Sequence, residues 1–192
     1  PDIPKVNPMM VEERARTIRA ANEDMSRQQS SYSSKENFVL YLNVMLSIEN
    51  AAIERLHARI QQCPLPQVRA QLVHHLEETR QQKDRLISLV QMLGGQPTQE
   101  RAQLARYSPP PSLADALQAA TATEEKELIT LGIDALIEQQ EALGYNALIQ
   151  IATKMNIGEA LAPMRQSLQE EEGMVVWARA NFPASYAQLW SA

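Results

Sequence analysis

The sequence predicts an all-α protein built as one four-helix bundle, and three observations carry that expectation. Apolar residues make up 44% of the chain but aromatics only 5%, a profile of packed helices rather than of a sheet core. Apolar positions recur at spacings of three and four over four long stretches, and proline- or glycine-bearing breaks separate those stretches. At 192 residues the chain suits one large bundle with appendages better than two independent cores.

Residues 1–36 read as an N-terminal arm, with Pro1, Pro4 and Pro8 near its start and room for one helix before SRQQSSYSS. Helix A is expected from about Ser34, with its stripe on Val39, Leu42, Leu46, Glu49, Ala52, Ile53, Leu56 and Ile60, ending at Cys63-Pro64. Helix B follows on Val68, Leu72, His75, Leu76, Thr79, Leu86, Val90 and Leu93, and Gly94-Gly95 stop it. Residues 96–112 hold Pro97 and Pro109-Pro110-Pro111, so they form a long connection, with a short helix expected at about 113–122. Helix C carries Ile133, Ile137, Gln140, Glu141, Gly144, Leu148, Ile151 and Met155, and Asn156-Ile157-Gly158 breaks it. Glu124 to Glu127 read as its first turn, where the helix dipole favours negative charge. Helix D carries Leu161, Met164, Leu168, Glu171, Val175 and Arg179 and is expected to stop near Phe182-Pro183. The bundle thus spans 37–182 and a tail spans 183–192. A short A–B turn, a long B–C crossover and a short C–D turn are the connectivity of ferritin-like bundles.

The formal charge of −5, from 18 basic and 23 acidic residues, offers no basic stripe for nucleic acid. Cys63 is the single cysteine, so neither a disulfide framework nor a thiolate metal cluster is expected, and a cytoplasmic setting follows. Cys63 has no basic neighbour closer than Arg59, which argues against reactivity. No signal-peptide pattern and no membrane-spanning run are read in the chain, so no membrane partner is expected. Trp177, Phe182, Tyr186 and Trp190 gather near the C-terminus, and an apolar tail of this kind suggests docking on its own bundle or on a second subunit, with a homodimer expected.

The informative residues are polar ones that interrupt the stripes. Glu49 lies three after Leu46 and four before Ile53, inside the apolar face of helix A. His75 and Glu78 sit one turn apart on helix B, able to present a nitrogen and a carboxylate to one point. Glu141 lies within the helix C stripe, with Glu138 at its flank, and Glu171 and Glu172 fall near the line from Leu168 to Val175. Tyr145, four after Glu141, is placed to hydrogen-bond a ligand or to fill the core. Glu54-x-x-His57 looks like a ligand pair, but Glu54 is about 140° around the helix from Glu49, on the solvent side. His74 reads as a surface residue. Burying isolated carboxylates costs several kcal/mol each, so carboxylates converging from four helices call for cations. An oxygen-rich set with an imidazole suits a pair of iron or manganese ions.

SIENA around Glu49, HLEETRQQ from His75 to Gln82, LGGQP closing helix B, IEQQEALGY from Ile137 to Tyr145 and LQEEE from Leu168 to Glu172 resemble the YciF-like stress-protein family of ferritin-like bundles over about residues 38–180. The resemblance implies Glu49, His75, Glu78, Glu138, Glu141 and Glu171 as metal ligands; Tyr145 and Glu172 are candidates to stand beside them by their positions on the helices. Gln139 and Met174 depart from that pattern and leave the set poor in nitrogen. The expected function is a dinuclear metal-binding stress-response protein acting on oxygen or peroxide or handling iron. The alternative is a metal-free bundle with a structural or protein-interaction role, its acids paired with Arg165, Arg179 or Lys154.

Overall fold

A computed structural model describes residues 8–102, 115, 118–120 and 122–190. The chain divides into two units, Pro1–Asn37 and Phe38–Ala192. Four long helices carry most of its regular structure among the described residues: α1 (Pro8–Gln62), α2 (Pro66–Met92), α3 (Thr123–Lys154) and α4 (Gly158–Trp190). Of the short helix expected at about 113–122, Asp115, Gln118 and Ala119 are helical and Ala120 and Ala122 are not, and the other positions lie outside the described residues.

Two boundaries differ from the sequence expectation. No new helix starts at Ser34; α1 is already helical from Pro8, because a proline suits the first helical turn and the polar run before Ser34 holds neither glycine nor proline. The last helix passes through Pro183 to Trp190. Proline removes one main-chain donor and crowds the preceding turn, which bends a helix more readily than it ends one when the next turn still packs, as buried Ser185 does.

The breaks are where the turn chemistry puts them. Pro66 opens α2. At its far end Gly94, with φ +82°, lets its N–H reach Gln91 O and that of Gly95 reach Val90 O, the paired bonds of a Schellman motif. Asn156, with φ 59°, does the same for α3, whose last carbonyls take the N–H groups of Asn156 and Ile157.

Within the second unit the side chains sort into two apolar clusters. One joins Phe38, Leu42 and Leu46 of α1 with Leu86 and Val90 of α2, Tyr145 and Leu148 of α3 and Met164 of α4. The other joins Leu56, Cys63, Val68, Leu72 and Leu76 with Leu131 of α3 and Met174 of α4. The chain runs from the first cluster to the second along α1 and α4, and from the second to the first along α2 and α3. α1 is therefore antiparallel to α2, α2 runs the same way as α3, and the long crossover must return the chain to the opposite end. Its described part is tied to α1: Asn43 donates to Gln96 O and accepts from Thr98 N, Asn50 donates to Glu100 O, and Ala102 N donates to Ser47 O.

Candidate metal centre

Between the two apolar clusters every helix turns polar side chains inward. On α1, Glu49 follows Leu46 by three and precedes Leu56 by seven, so the stripe that buries those leucines buries the glutamate. On α2 the inward line reads Leu72, His75, Thr79, Gln82, Leu86. On α3 it reads Glu127, Leu131, Asp134, Glu138, Glu141, Tyr145, Leu148, and on α4 Met164, Ser167, Glu171, Met174. Glu49, Glu138 and Glu171 are 0% exposed, His75 1% and Glu141 4%, which places them in a medium where a bare charge is costly.

The α3 face differs from the expected stripe. Ile133, Ile137, Gly144 and Ile151 are only half-buried and Gln140 is exposed, while Glu138, expected at the flank, is fully buried. Three of its carboxylates, Glu127, Asp134 and Glu138, meet arginines of α1 on that face, and half-buried apolar residues lie beside them.

The donors converge from four directions. His75 presents Nε2 to Glu138 Oε2 at 2.9 Å and to Glu171 Oε2 at 3.8 Å, and Nδ1 to Glu78 Oε2 at 3.2 Å. Tyr145 donates its hydroxyl to Glu49 Oε1 at 2.5 Å, and Gln82 donates its amide to Glu171 Oε1 at 2.6 Å. Two triads have ligand atoms within 4.8 Å of one another, His75–Glu138–Glu171 and Glu49–Glu141–Glu171, and they share Glu171. Glu78 is half-buried at the edge. Glu172 is exposed, because one residue further along α4 is about 100° around the helix from Glu171, so it takes no place in this cluster. Glu54 and His57 are exposed, bonded to Arg101 and Arg80, away from the buried layer.

Burial pushes Glu49 up to about 7, with Tyr145 holding it back, and pushes Glu141 and Glu171 well above the carboxylate range, reinforced by neighbouring negative charges. Burial would likewise raise Glu138, yet Arg55 and His75 outweigh it and hold that carboxyl well below its ordinary value. Burial disfavours the His75 imidazolium, but the bond and charge of Glu138 prevail and raise it to about 10. Even so, Glu49 Oε2, Glu141 Oε1 and Glu171 Oε2 are buried with no hydrogen-bond partner. Three carboxylate oxygens left without a hydrogen bond in one buried layer suit a cation as their partner, so the residues fit a metal.

The cations that the structure does bring in come from α1. Arg55 bonds Glu138 Oε1 at 2.6 Å and Asp134 Oδ1 at 3.0 Å. Arg59 bonds Asp134 Oδ2 at 2.8 Å and takes Glu127 in a two-pronged pair at 2.5 and 3.0 Å. Cys63 Sγ is 3.3 Å from Glu127 Oε1 and burial pushes its thiol up. Arg165, Arg179 and Lys154, the expected partners, are exposed. Glu127 is thus no mere dipole-facing charge. The signal for this ladder was present: Glu127, Asp134 and Glu138 repeat at seven and four on one helix face, and Arg55 and Arg59 repeat at four on another.

Helix order, crossover and inward carboxylates define a ferritin-like four-helix bundle. Residues 33–189 match the family model of a domain of unknown function, DUF892, and the chain belongs to this YciF-like family of ferritin-like bundles. Among solved structures it is similar to the Xanthomonas campestris protein XCC3681, with a TM-score of 0.69 and 21% identity over 82% of this chain and 97% of that one. YcfI of Rhodopseudomonas palustris has a TM-score of 0.65 at 19% identity, covering 76% and 92%. Desulfovibrio desulfuricans bacterioferritin, a protein with a diiron site, has a TM-score of 0.64 at 12% identity, covering 84% and 89%. No curated protein matches the chain.

Proposed function

We propose that this chain is a metal-binding ferritin-like protein whose polar layer holds two iron or manganese ions, and that it acts on oxygen or peroxide, or handles iron, under stress. The observation that carries the reading is the pair of triads sharing Glu171, together with three unpartnered buried carboxylate oxygens. Charge supports it. Arg55 is shared by Asp134 and Glu138 and Arg59 by Asp134 and Glu127, whereas Glu49, Glu141 and Glu171 take no hydrogen bond from an arginine among the described residues, so bound cations would meet donors that the arginines leave over.

A bound pair would supply Lewis-acid and one-electron chemistry toward oxygen species. The chain's own residues do the rest. Glu171, common to both triads, would help hold the metal, and Gln82 fixes its orientation by holding one oxygen. Tyr145 steadies Glu49 in the same way, and Arg55 limits the freedom of Glu138. His75 must shed a proton before its nitrogen can ligate, and Glu78 on Nδ1 is placed to orient the ring. The apolar clusters on either side exclude bulk water. Among the described residues no helix is long and apolar enough to cross a membrane, and a cytoplasmic homodimer that leaves nucleic acid alone is the setting we propose.

The second reading is a metal-free structural bundle, which the Arg55–Glu138 pair favours because it neutralises one candidate ligand without any ion. Elemental analysis after loading with iron(II) or manganese(II) separates the two. About two ions per chain, lost in Glu49→Ala, supports the metal centre; no bound ion and an unchanged melting temperature support the structural reading.

A further inference from the structure

The candidate ligands are almost wholly enclosed, so an ion needs a way in. Glu49, His75, Glu138, Glu141 and Glu171 are at most 4% exposed, whereas the Glu78 side chain keeps 21%. Glu78 faces two ways. Its Oε2 lies 3.2 Å from Nδ1 of buried His75, and its Oε1 lies 3.3 Å from Nε2 of His74, whose side chain is 65% exposed. Both Glu78 and His74 line a surface cavity of about 480 Å³ between α2 and α4, with Gln71, Gln169 and Gly173 around it and Met174 and Trp177 as its apolar part. At about 30 Å³ per water, that cavity admits a divalent ion with its inner shell of about six waters.

Gly173 is the second observation. It lies in mid-helix, where glycine costs about 1 kcal/mol relative to alanine. Its φ needs no glycine, and a Cβ there would meet nothing within 4 Å, so neither strain nor close packing accounts for it. It leaves the cavity wall without a side chain. Two other cavities on the described surface differ in chemistry. The one between α1 and α3 is walled by hydrocarbon, including Val44, Ile48 and Leu148, and the one beside Leu136 and Phe182 carries the cation of Arg179. A hydrated cation gains nothing from the first and is repelled in the second.

We propose that the α2–α4 cavity is the port through which divalent cations reach the centre, with His74 and Glu78 as the capturing pair and Gly173 keeping the mouth open. The proposal rests on the metal-binding reading above. An arriving ion exchanges part of its water shell for His74 Nε2 and Glu78 Oε1, and the same carboxylate, already on His75, hands it inward. Glu170 at the rim is tied to Arg85 and Gln166, which leaves Glu78, held by the two histidines and by no arginine among the described residues, as the acid placed to capture.

The test follows uptake of manganese(II) alone by the full chain, using the loss of the free-ion electron paramagnetic resonance signal over time, with final metal per chain measured separately. Gly173→Phe and His74→Ala should reach the wild-type final content while uptake slows, by about tenfold for the plug, a barrier increase of about 1.4 kcal/mol. Gly132→Phe, which also points into open space but in the Arg179 cavity, should load at the wild-type rate. Wild-type rates in both port variants, or equal slowing in Gly132→Phe, overturn the port while leaving the centre standing. A wild-type chain that takes up no manganese overturns the centre and the port together. His74 is a surface side chain, so its variant keeps the test decisive if Gly173→Phe misfolds.

Discussion

At the scale of single residues, the polar layer is held by pairings whose loss should be felt unequally. Arg55 and Arg59 are one turn apart, yet Arg55 touches a candidate metal ligand and Arg59 touches only Asp134, Glu127 and the bundle end. Breaking a buried ion pair by removing one partner costs about 3–5 kcal/mol, because a charge is left unmatched. Both Arg55→Met and Arg59→Met should therefore lower the melting temperature, but added manganese should recover much of the loss only in Arg55→Met, where the ion can neutralise Glu138. Equal rescue in both would show that Glu138 is no ligand. Acidity gives a second handle. Glu49 binds its proton up to about pH 7 in the fold against 4.5 ordinarily, and His75 up to about 10 against 6.5, so the folded state holds extra protons across that window. Stability of the metal-free protein should fall as pH rises from about 5 through 7 and beyond, read by thermal melts. Glu138, held low, is already charged there and its contribution is lost only in acid. Metal binding displaces those protons, so affinity should rise over the same window, and a flat pH profile for both would contradict this electrostatic account.

At the scale of elements, the crossover is fastened to α1 by two asparagines rather than by apolar packing alone. Asn43 serves the crossover with both ends of its amide, and Asn50, 6% exposed, reaches Glu100 O. Asn50→Ala leaves a partly buried carbonyl without its donor, and the expected cost is about 1–3 kcal/mol, with hydrogen exchange accelerating first around residues 96–102. Gly95 makes the same junction tight: a Cβ there would lie 2.4 Å from Val39 Cγ1. Gly95→Ala should therefore destabilise the fold while Gly94 remains in its left-handed turn, and chemical denaturation would measure it.

At the scale of the whole molecule, a layer of acids between two apolar clusters is the part of the bundle that bound cations should stabilise most. An ion at about a hundredfold excess over its dissociation constant contributes about 2.7 kcal/mol, which for a chain of this size raises the melting temperature by about 5–10 °C. Differential scanning calorimetry with and without manganese(II) would read that shift, and its absence would favour the metal-free reading. The same architecture explains why acids and arginines are tolerated in the core: each inward position is shared among four helices, so partners can come from any of them.

How much of this was legible differs by feature. The four helices, the Gly94 and Asn156 stops and the inward place of Glu49, His75, Glu141 and Glu171 follow from local rules, since periodicity and turn chemistry act within a few residues. α1 and α4 extend further than the sequence predicts, through polar or proline-bearing stretches, because propensity is a weak prior against an element already propagating. The burial of Glu138, the exposure of Glu172 and the Arg55–Asp134–Arg59–Glu127 ladder were decided only when helices distant in sequence came together. An ionisable side chain has no fixed preference for inside or outside; its place depends on whether an opposite charge is waiting there, and that charge sits about eighty residues away along the chain.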